Sequence, residues 1–251
     1  MNTETNNLTR KFGLIGKNIS YSFSQTYFTE KFNRESITNA IYENFDIPIE
    51  DQLKSVFNTE GLAGANVTIP YKEAIIPHLD KMNSKAVQIG AVNTIKVLKN
   101  GKTKGYNTDY YGFKKSLKPY LEKHHKSALI LGTGGASKAV AYALDNLGIS
   151  FKMVSRNPEK GQLNYSDLTQ KVIDDHKIIV NCTPLGTSPN VDAFPDIPYL
   201  HVTNAHILYD LIYNPAETKF LAKGKAQGAT IVNGLKMLEY QAEKAWEIWN
   251  R

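Results

Sequence analysis

The chain has one cysteine among its 251 residues, Cys182, which excludes an internal disulfide and fits a reducing, cytoplasmic setting. It lacks any apolar run near the roughly 18 residues that a membrane span requires, so no membrane association is expected. The opening segment, Met1 to Arg10, is polar and has no apolar middle of the secretory kind. It reads as a short disordered tail. Internal repeats and low-complexity segments are absent, and no metal site is expected. Charge of one sign is also missing. The 30 basic and 24 acidic residues leave a net +6 and a pI near 9.1, with the basic residues scattered along the chain. The densest group, Lys114 to Lys126 with His124 and His125, reads as a solvated helix end or linker. A nucleic-acid footprint would collect on one stripe, so that class is excluded. A mild positive field suits an anionic small molecule instead.

What is present is an ordinary globular composition, 41% apolar and 22% charged, long enough for one large domain or two modest ones. Lys11 to Gly16 reads as a strand, Gln25 to Asn33 as a helix, Ile41 to Ile47 as a strand and Pro48 to Phe57 as a helix through Ile49, Leu53 and Val56. Leu62 to Val67 is the next strand. Val92 to Leu98 and Lys102 to Tyr106 flank Asn100-Gly101, a dipeptide that favours a tight hairpin. This order implies a mixed, mostly parallel sheet. A second α/β unit starts near Ser127 with the strand Ala128 to Leu131 and a helix through Ala139, Val140, Ala143, Leu144 and Leu147 that stops at Gly148. Phe151 to Val154, Ile178 to Val180, His206 to Leu211 and Ala229 to Val232 are further strands, and the last helix runs from Leu235 to Trp249. Cys182, directly after Ile178-Ile179-Val180, reads as a small core residue.

Two segments carry chemistry. In Gly64-Ala65-Asn66-Val67-Thr68-Ile69-Pro70-Tyr71-Lys72, Pro70 cannot donate to a sheet and biases Ile69 toward extended geometry, so the strand ends there. Asn66, Thr68 and Lys72 then converge at a strand's C-terminal end, where open α/β sheets bind ligands. An amide, a hydroxyl and an ammonium suit a polyhydroxylated or anionic small molecule. A turn with a solvated lysine is the alternative.

In the second segment, a strand runs into Gly132-Thr133-Gly134-Gly135-Ala136-Ser137 and then a helix. That is the context of a dinucleotide-binding loop, although Ser137 stands where the strict pattern has its third glycine. The end of the following strand carries Ser155-Arg156-Asn157 with Lys160 nearby and no carboxylate before Glu159. A guanidinium grips a ribose 2′-phosphate that a carboxylate would repel, so NADP is expected over NAD.

Eight segments in order resemble the shikimate dehydrogenase family from Gly13 to Trp249. They are Gly13-Leu14-Ile15-Gly16 with Ser22-x-Ser24; Asn66-Val67-Thr68-x-Pro70-x-Lys72; Gly90-Ala91-Val92-Asn93-Thr94; and Gly105-x-Asn107-Thr108-Asp109-x-x-Gly112. The others are Gly132-x-Gly134-Gly135-Ala136, Asn181-x-Thr183-Pro184-Leu185-Gly186, Asp210-Leu211-Ile212-Tyr213 and Gly234-x-x-Met237-Leu238-x-x-Gln241-Ala242. The resemblance implies an α/β protein. Residues 1–108 and 237–251 would form an N-terminal mixed α/β substrate domain on which the C-terminal helix packs back. Residues 109–236 would form a Rossmann-type, doubly wound parallel-sheet domain for NADP, the two joined around a cleft. It also implies reduction of 3-dehydroshikimate to shikimate, a step toward chorismate and the aromatic amino acids, by a monomer or homodimer.

Carried onto this sequence, the resemblance gives Ser22 and Ser24 to the substrate carboxylate, and Asn66, Thr68, Asn93, Asp109 and Gln241 to its ring hydroxyls, with Tyr213 lining the same pocket. Lys72 and Asp109 become an acid/base pair. Gly132, Thr133, Gly134, Gly135 and Ala136 hold the pyrophosphate, Ser155, Arg156 and Lys160 lie near the ribose phosphate, and Thr183, Gly234 and Met237 near the ribose and nicotinamide. Each role has a structural alternative. Ser22 and Ser24 can cap the helix at Gln25, Asp109 can cap the helix that follows it, and Tyr213 can be a core aromatic. Gln241, at helical spacing with Met237, Leu238, Ala242 and Ala245, turns its amide inward toward a ligand hydroxyl or a backbone group. Burial would lower the pKa of Lys72 and a neighbouring Asp109 would raise it, so the two are assigned as a unit.

The chain departs from the family at three places. Tyr21 precedes Ser22 and Gln25-Thr26-Tyr27-Phe28 follows Ser24, where many members have a histidine and Pro-x-x-His-Asn. Asn157 and Lys160 replace a threonine and a second arginine. The altered serine loop keeps a quinate/shikimate dehydrogenase using NAD or NADP as the neighbouring alternative. A catalytically silent NADP-binding sensor is the alternative of another class, and retention of both Lys72 and Asp109 argues against it.

Overall fold

Ala128-Leu129-Ile130-Leu131 offers water no polar face, and such a strand must be covered on both sides. It lies inside a sheet of five parallel strands. The computed structural model describes residues 9–19 and 22–251; most of the expected tail and Tyr21 lie outside the described residues. Contacts divide the chain into two units, Met1–Thr108 with Lys244–Arg251, and Asp109–Glu243.

In the first unit the strands are β1 (Arg10–Gly16), β2 (Ala40–Asp46), β3 (Leu62–Val67), β4 (Lys81–Met82), β5 (Thr94–Val97) and β6 (Thr103–Tyr106), with α1 (Phe23–Arg34) and α2 (Ser84–Ile89). The sheet order is β2-β1-β3-β5-β6-β4. Pairing is parallel for β1 with β2 and β3 and for β4 with β6, and antiparallel for β3 with β5 and β5 with β6. The mixed sheet and the Asn100-Gly101 hairpin therefore form as expected, with Gly101 at φ +77°. Residues alternate across β1. Ile15 faces a core with Leu53, Val56, Val67, Tyr71, Ile75 and Ile95. Phe12 faces an aromatic cluster with Phe28, Phe32, Trp246 and Trp249, in which Phe12 and Trp249 stack at 4.7 Å. Trp246 and Trp249 come from the last turns of α7 (Leu235–Trp249), and the residues from 244 on belong to this unit.

The second unit holds α3 (Asp109–Leu117), β7 (Ser127–Leu131), α4 (Gly135–Asp145), β8 (Ser150–Val154), α5 (Gln170–Asp175), β9 (Ile178–Asn181), β10 (Ile207–Asp210), α6 (Lys219–Ala226), β11 (Thr230–Val232) and the start of α7. Its sheet runs β11-β10-β9-β7-β8, every pairing parallel. Apolar clusters cover both faces, Ile130, Val140, Val180 and Tyr209 on one side and Leu129, Leu131, Ile179 and Leu208 on the other. The chain goes from β7 outward to β8, then back across to β9, so the winding reverses between β7 and β9. Among the described residues no helix is long and apolar enough to cross a membrane.

Three expectations change. The 48–57 segment forms a 3-10 helix, Glu50–Asn58, instead of an α-helix, with only Leu53 and Val56 buried. The Lys114–Lys126 segment is not wholly solvated, since His125 is buried and its Nδ1 accepts from the Glu122 N–H at 2.9 Å. Cys182 packs against the core of Ile130, Val140 and Val180 but is only half-buried, lying just past the end of β9.

Gly64 on β3 meets the Trp249 indole. A methyl at Gly64 would overlap Trp249 Nε1, whose N–H donates to the Ile95 carbonyl at 2.8 Å. Gly64→Ala should cost about 1–3 kcal/mol by overpacking, or roughly 3–10 °C in Tm. Thermal melts followed by tryptophan fluorescence test this, and an unchanged Tm would refute the contact.

Candidate active site

Parallel and antiparallel pairing together bring the polar candidates of the first unit to one end of its sheet. Ile15 pairs with Val67, so β1 and β3 finish side by side. Asn66 pairs with Thr94 and Thr94 with Tyr106, so β5 begins, and β6 ends, at that same edge. Asn66, Thr68, Lys72, Asn93 and Thr108 therefore share one rim, and Ser22 and Ser24 follow the loop that leaves β1.

Buried polar groups at this rim satisfy one another. Tyr42 Oη donates to Asn66 Oδ1 at 2.8 Å. The Asn66 amide nitrogen donates to the Asn93 carbonyl at 3.3 Å and to Thr94 Oγ1 at 3.2 Å. With both N–H groups turned into the protein, the second lone pair of Oδ1 is what Asn66 can offer a ligand hydroxyl. Asn93 Oδ1 accepts the Thr108 N–H at 2.6 Å. Tyr42 stacks on Phe28 at 4.6 Å, bonds Ser24, and burial raises its phenol pKa. Ser22 does cap α1, accepting from the Gln25 N–H at 3.3 Å. Gln25 Oε1 in turn accepts from Asn44 at 2.9 Å, which ties the unusual serine loop to β2. Thr68 and Lys72 are half-buried. The Lys72 carbonyl accepts the Val92 N–H at 2.7 Å, fixing its backbone beside the Asn93 segment.

In the second unit Asp109 opens α3 and is buried on the face that also carries Gly112, Phe113, Ser116 and Leu117. A methyl on Gly112 would overlap the Met237 carbonyl and lie 3.2 Å from Gln241 Cβ, so α3 and α7 touch there. Gln241 is buried, as its spacing predicts.

All-parallel pairing places the C-terminal ends of the five strands on one edge. Gly132 follows β7, Ser155 and Arg156 follow β8, Thr183 follows β9, Tyr213 follows β10 and Gly234 follows β11. Gly132 has φ +104°, a conformation favouring glycine, with Thr183 Cγ2 3.3 Å from where a Cβ would be. Gly134 caps α4 without a side chain, and a Cβ there would meet nothing within 4 Å. Bare backbone and uncapped helix N–H groups suit a pyrophosphate. Thr133 is exposed and Gly135 and Ala136 half-buried, while Ser137 is fully buried beside Cys182. Arg156 and Lys160 are exposed at the end of β8 with no acidic residue between Val154 and Asn157, which fits a 2′-phosphate. Gly234 packs directly on the preceding crossover: a Cβ there would overlap the Leu211 carbonyl oxygen. Met237 is buried and Tyr213 half-buried, and burial raises the Tyr213 phenol.

The sequence reading missed Tyr42, which contacts two of the residues it singled out. It quoted Asn181 and Asp210 only within motifs, with no role, and passed over Thr218; the three are buried polar residues joined by hydrogen bonds at the C-terminal edge of the second sheet. The available signal was a polar residue closing an otherwise apolar strand, as in Ile178-Ile179-Val180-Asn181. Among the described residues no grouping could hold a metal ion.

Residues 14–95 match the family model described as the shikimate dehydrogenase substrate binding domain. A shikimate dehydrogenase (NADP(+)) of Clostridium botulinum is 39% identical over 249 residues, covering 94% of this chain and 95% of the relative. The crystal structure of shikimate dehydrogenase from Aquifex aeolicus superimposes with a TM-score of 0.87 at 38% identity, over 100% of this chain and 94% of that one. The enzyme of Thermus thermophilus, in complex with NADP(H) and shikimate, gives 0.84 at 30% identity over 96% and 93%. On its sequence and on its fold, the chain belongs to the shikimate dehydrogenase family, whose NADP(+)-named members it matches over nearly its whole length.

Proposed function

We propose that this member of an oxidoreductase family interconverts 3-dehydroshikimate and shikimate with NADP. What supports this reading most is the gathering of Asn66, Thr68, Lys72 and Asn93 at one rim of the first sheet, matched by the glycine loop and Arg156 on the C-terminal edge of the second.

The bound nicotinamide supplies or accepts the hydride. Reducing the ketone builds negative charge on its oxygen. The Lys72 ammonium stabilises that charge and delivers the proton, with Asp109 as its partner in the acid/base pair. In the reverse direction the pair takes the proton from the hydroxyl. Ser22 and Ser24 bind the substrate carboxylate. Asn66, Thr68, Asn93, Asp109 and Gln241 bind its hydroxyls, and Tyr213 lines that pocket. Gly132 to Ala136 hold the pyrophosphate on backbone N–H groups, while Ser155, Arg156 and Lys160 bind the 2′-phosphate. Thr183, Gly234 and Met237 contact the ribose and nicotinamide. Residues 1–108 with 237–251 act as the substrate domain and 109–236 as the NADP domain.

A steady-state assay crossing shikimate and quinate with NADP and NAD tests the reading. Shikimate with NADP should be the preferred pair, and comparable turnover of quinate with NAD would replace it by a broader dehydrogenase. Lys72→Ala should lower kcat by about 10²–10⁴-fold, the usual range for a lost acid/base group, with shikimate KM within a few-fold. If turnover barely moves, the proton-transfer role is wrong. Arg156→Ala should raise KM for NADP by about tenfold, the worth of a charge-assisted hydrogen bond, and leave KM for NAD nearly unchanged. Equal effects on both cofactors would remove Arg156 from the phosphate site.

A further inference from the structure

Asp210 closes β10 and is fully buried, and its hydrogen-bond donors are neutral groups. Its Oδ1 accepts from Asn181 Nδ2 at 3.1 Å and from the Ile212 N–H at 3.0 Å. Its Oδ2 accepts from Thr218 Oγ1 at 2.6 Å. Each contact leads outward. Asn181 Oδ1 accepts from both the N–H and the hydroxyl of Thr183, at 3.0 and 2.6 Å. The Ile212 carbonyl accepts the Gly234 N–H at 3.0 Å. Thr218 caps α6 and packs against the 182–187 loop, since a Cβ on Gly186 would lie 3.4 Å from Thr218.

We propose that Asp210 is a positioning residue for NADP binding, setting Thr183 through Asn181, Gly234 through Ile212, and the loop after β9 through Thr218. This rests on the reading above that Thr183 and Gly234 face the cofactor. A carboxylate suits the task because it accepts on both oxygens and has no hydrogen to misplace. Protonated, one oxygen becomes a donor and competes with the Thr218 hydroxyl.

The surroundings make Asp210 the group that changes charge near neutrality. Cys182, Tyr199 and Tyr209 feel its charge, and burial raises all three, keeping them neutral. On α6, Lys219 pairs with Asp192, Lys225 pairs with Glu217, and Lys223 lies over the Phe194 and Tyr199 rings. Burial pushes the Asp210 carboxyl up to about 6 despite the three hydrogen bonds that favour its ionised form.

Asp210→Asn is the direct test in the full-length protein. The amide can still accept from Asn181 and Ile212 and can donate to Thr218, so the fold should survive. NADPH dissociation constants would be measured by fluorescence from pH 8 to pH 5 for wild type and variant, and their ratio taken. The ratio cancels the titration of the 2′-phosphate itself, whose second pKa lies near 6. The expected ratio is about tenfold at pH 8, the order of one lost hydrogen bond to a charged group, and approaches one at pH 5, where the wild-type carboxyl is also neutral. A ratio of one throughout, or a loss equal at every pH, overturns the proposal, because a merely structural role has no such profile. If the asparagine variant does not fold, Thr218→Val removes the donor to Oδ2 and should move the pH window of wild-type affinity upward; an unmoved window is equally fatal. Thr183→Val separates the two readings. If it leaves NADPH affinity unchanged, the placement of Thr183 at the cofactor fails. If it weakens binding while Asp210→Asn does not, the positioning role alone fails.

Discussion

Parallel strand pairing is the constraint on which the rest of this molecule depends. A parallel pair cannot be joined by a tight turn, so the chain must cross over a face of the sheet and begin each strand from the same end. All strands of the second unit therefore stop at one edge, and residues from Gly132 to Gly234, distant in sequence, arrive there together. In the first unit the antiparallel β5 and β6 start and finish at the edge where β1 and β3 end, which adds Asn93 and Thr108 to the same rim. Nothing in the candidate site residues themselves enforces that convergence. Buried strands such as Ile178-Ile179-Val180 enforce it, because they must be covered on both faces.

Polar residues at those strand ends face a second constraint, since a buried amide or carboxylate without a partner is costly. The first unit answers it with neutral groups that bond to one another. Tyr42 supplies a hydroxyl to Asn66, Asn66 supplies its amide to Asn93 and Thr94, and Asn93 receives the Thr108 N–H. Orientation follows from satisfaction, because an amide with its N–H groups committed can present only its oxygen. The aromatic cluster of Phe12, Phe28, Trp246 and Trp249 supports this set from behind, with the Tyr42 ring stacked on Phe28.

How much of this is legible in the sequence depends on the range of the interaction. Leu62–Val67 and Leu235–Trp249 are found to the residue, because apolar alternation, Pro70 and helical spacing are local signals. The Asn100-Gly101 hairpin is local in the same way. The helices α2, α5 and α6 are not found: they are 6, 6 and 8 residues long and have too few buried positions to show a period. At 48–57 the apolar spacing is genuine, yet a 3-10 helix forms with the same buried Leu53 and Val56, so periodicity alone does not choose between the two. The glycine loop between β7 and α4 is legible as a strand-loop-helix turn because its signals lie within one stretch. The Tyr42–Asn66 and Asn181–Asp210 hydrogen bonds span 24 and 29 residues, and no local pattern announces them.

The buried carboxylate of Asp210 is where local consistency yields to another demand. Its pKa, raised from 3.8 to about 6, means the native state holds a proton that the unfolded chain releases first. Between those values the native state binds more protons, so stability falls as pH rises. Above pH 6 the full penalty applies, about 3 kcal/mol for a shift of roughly two units. An apolar residue of similar volume would avoid it. It would also leave Asn181, Ile212 and Thr218 with buried donors and no acceptor, each an unmet hydrogen bond. The carboxylate is thus tolerated because three segments converge on one point and its two oxygens accept from all of them. The same convergence that parallel pairing creates at the strand ends is what makes a charged residue the economical way to order them.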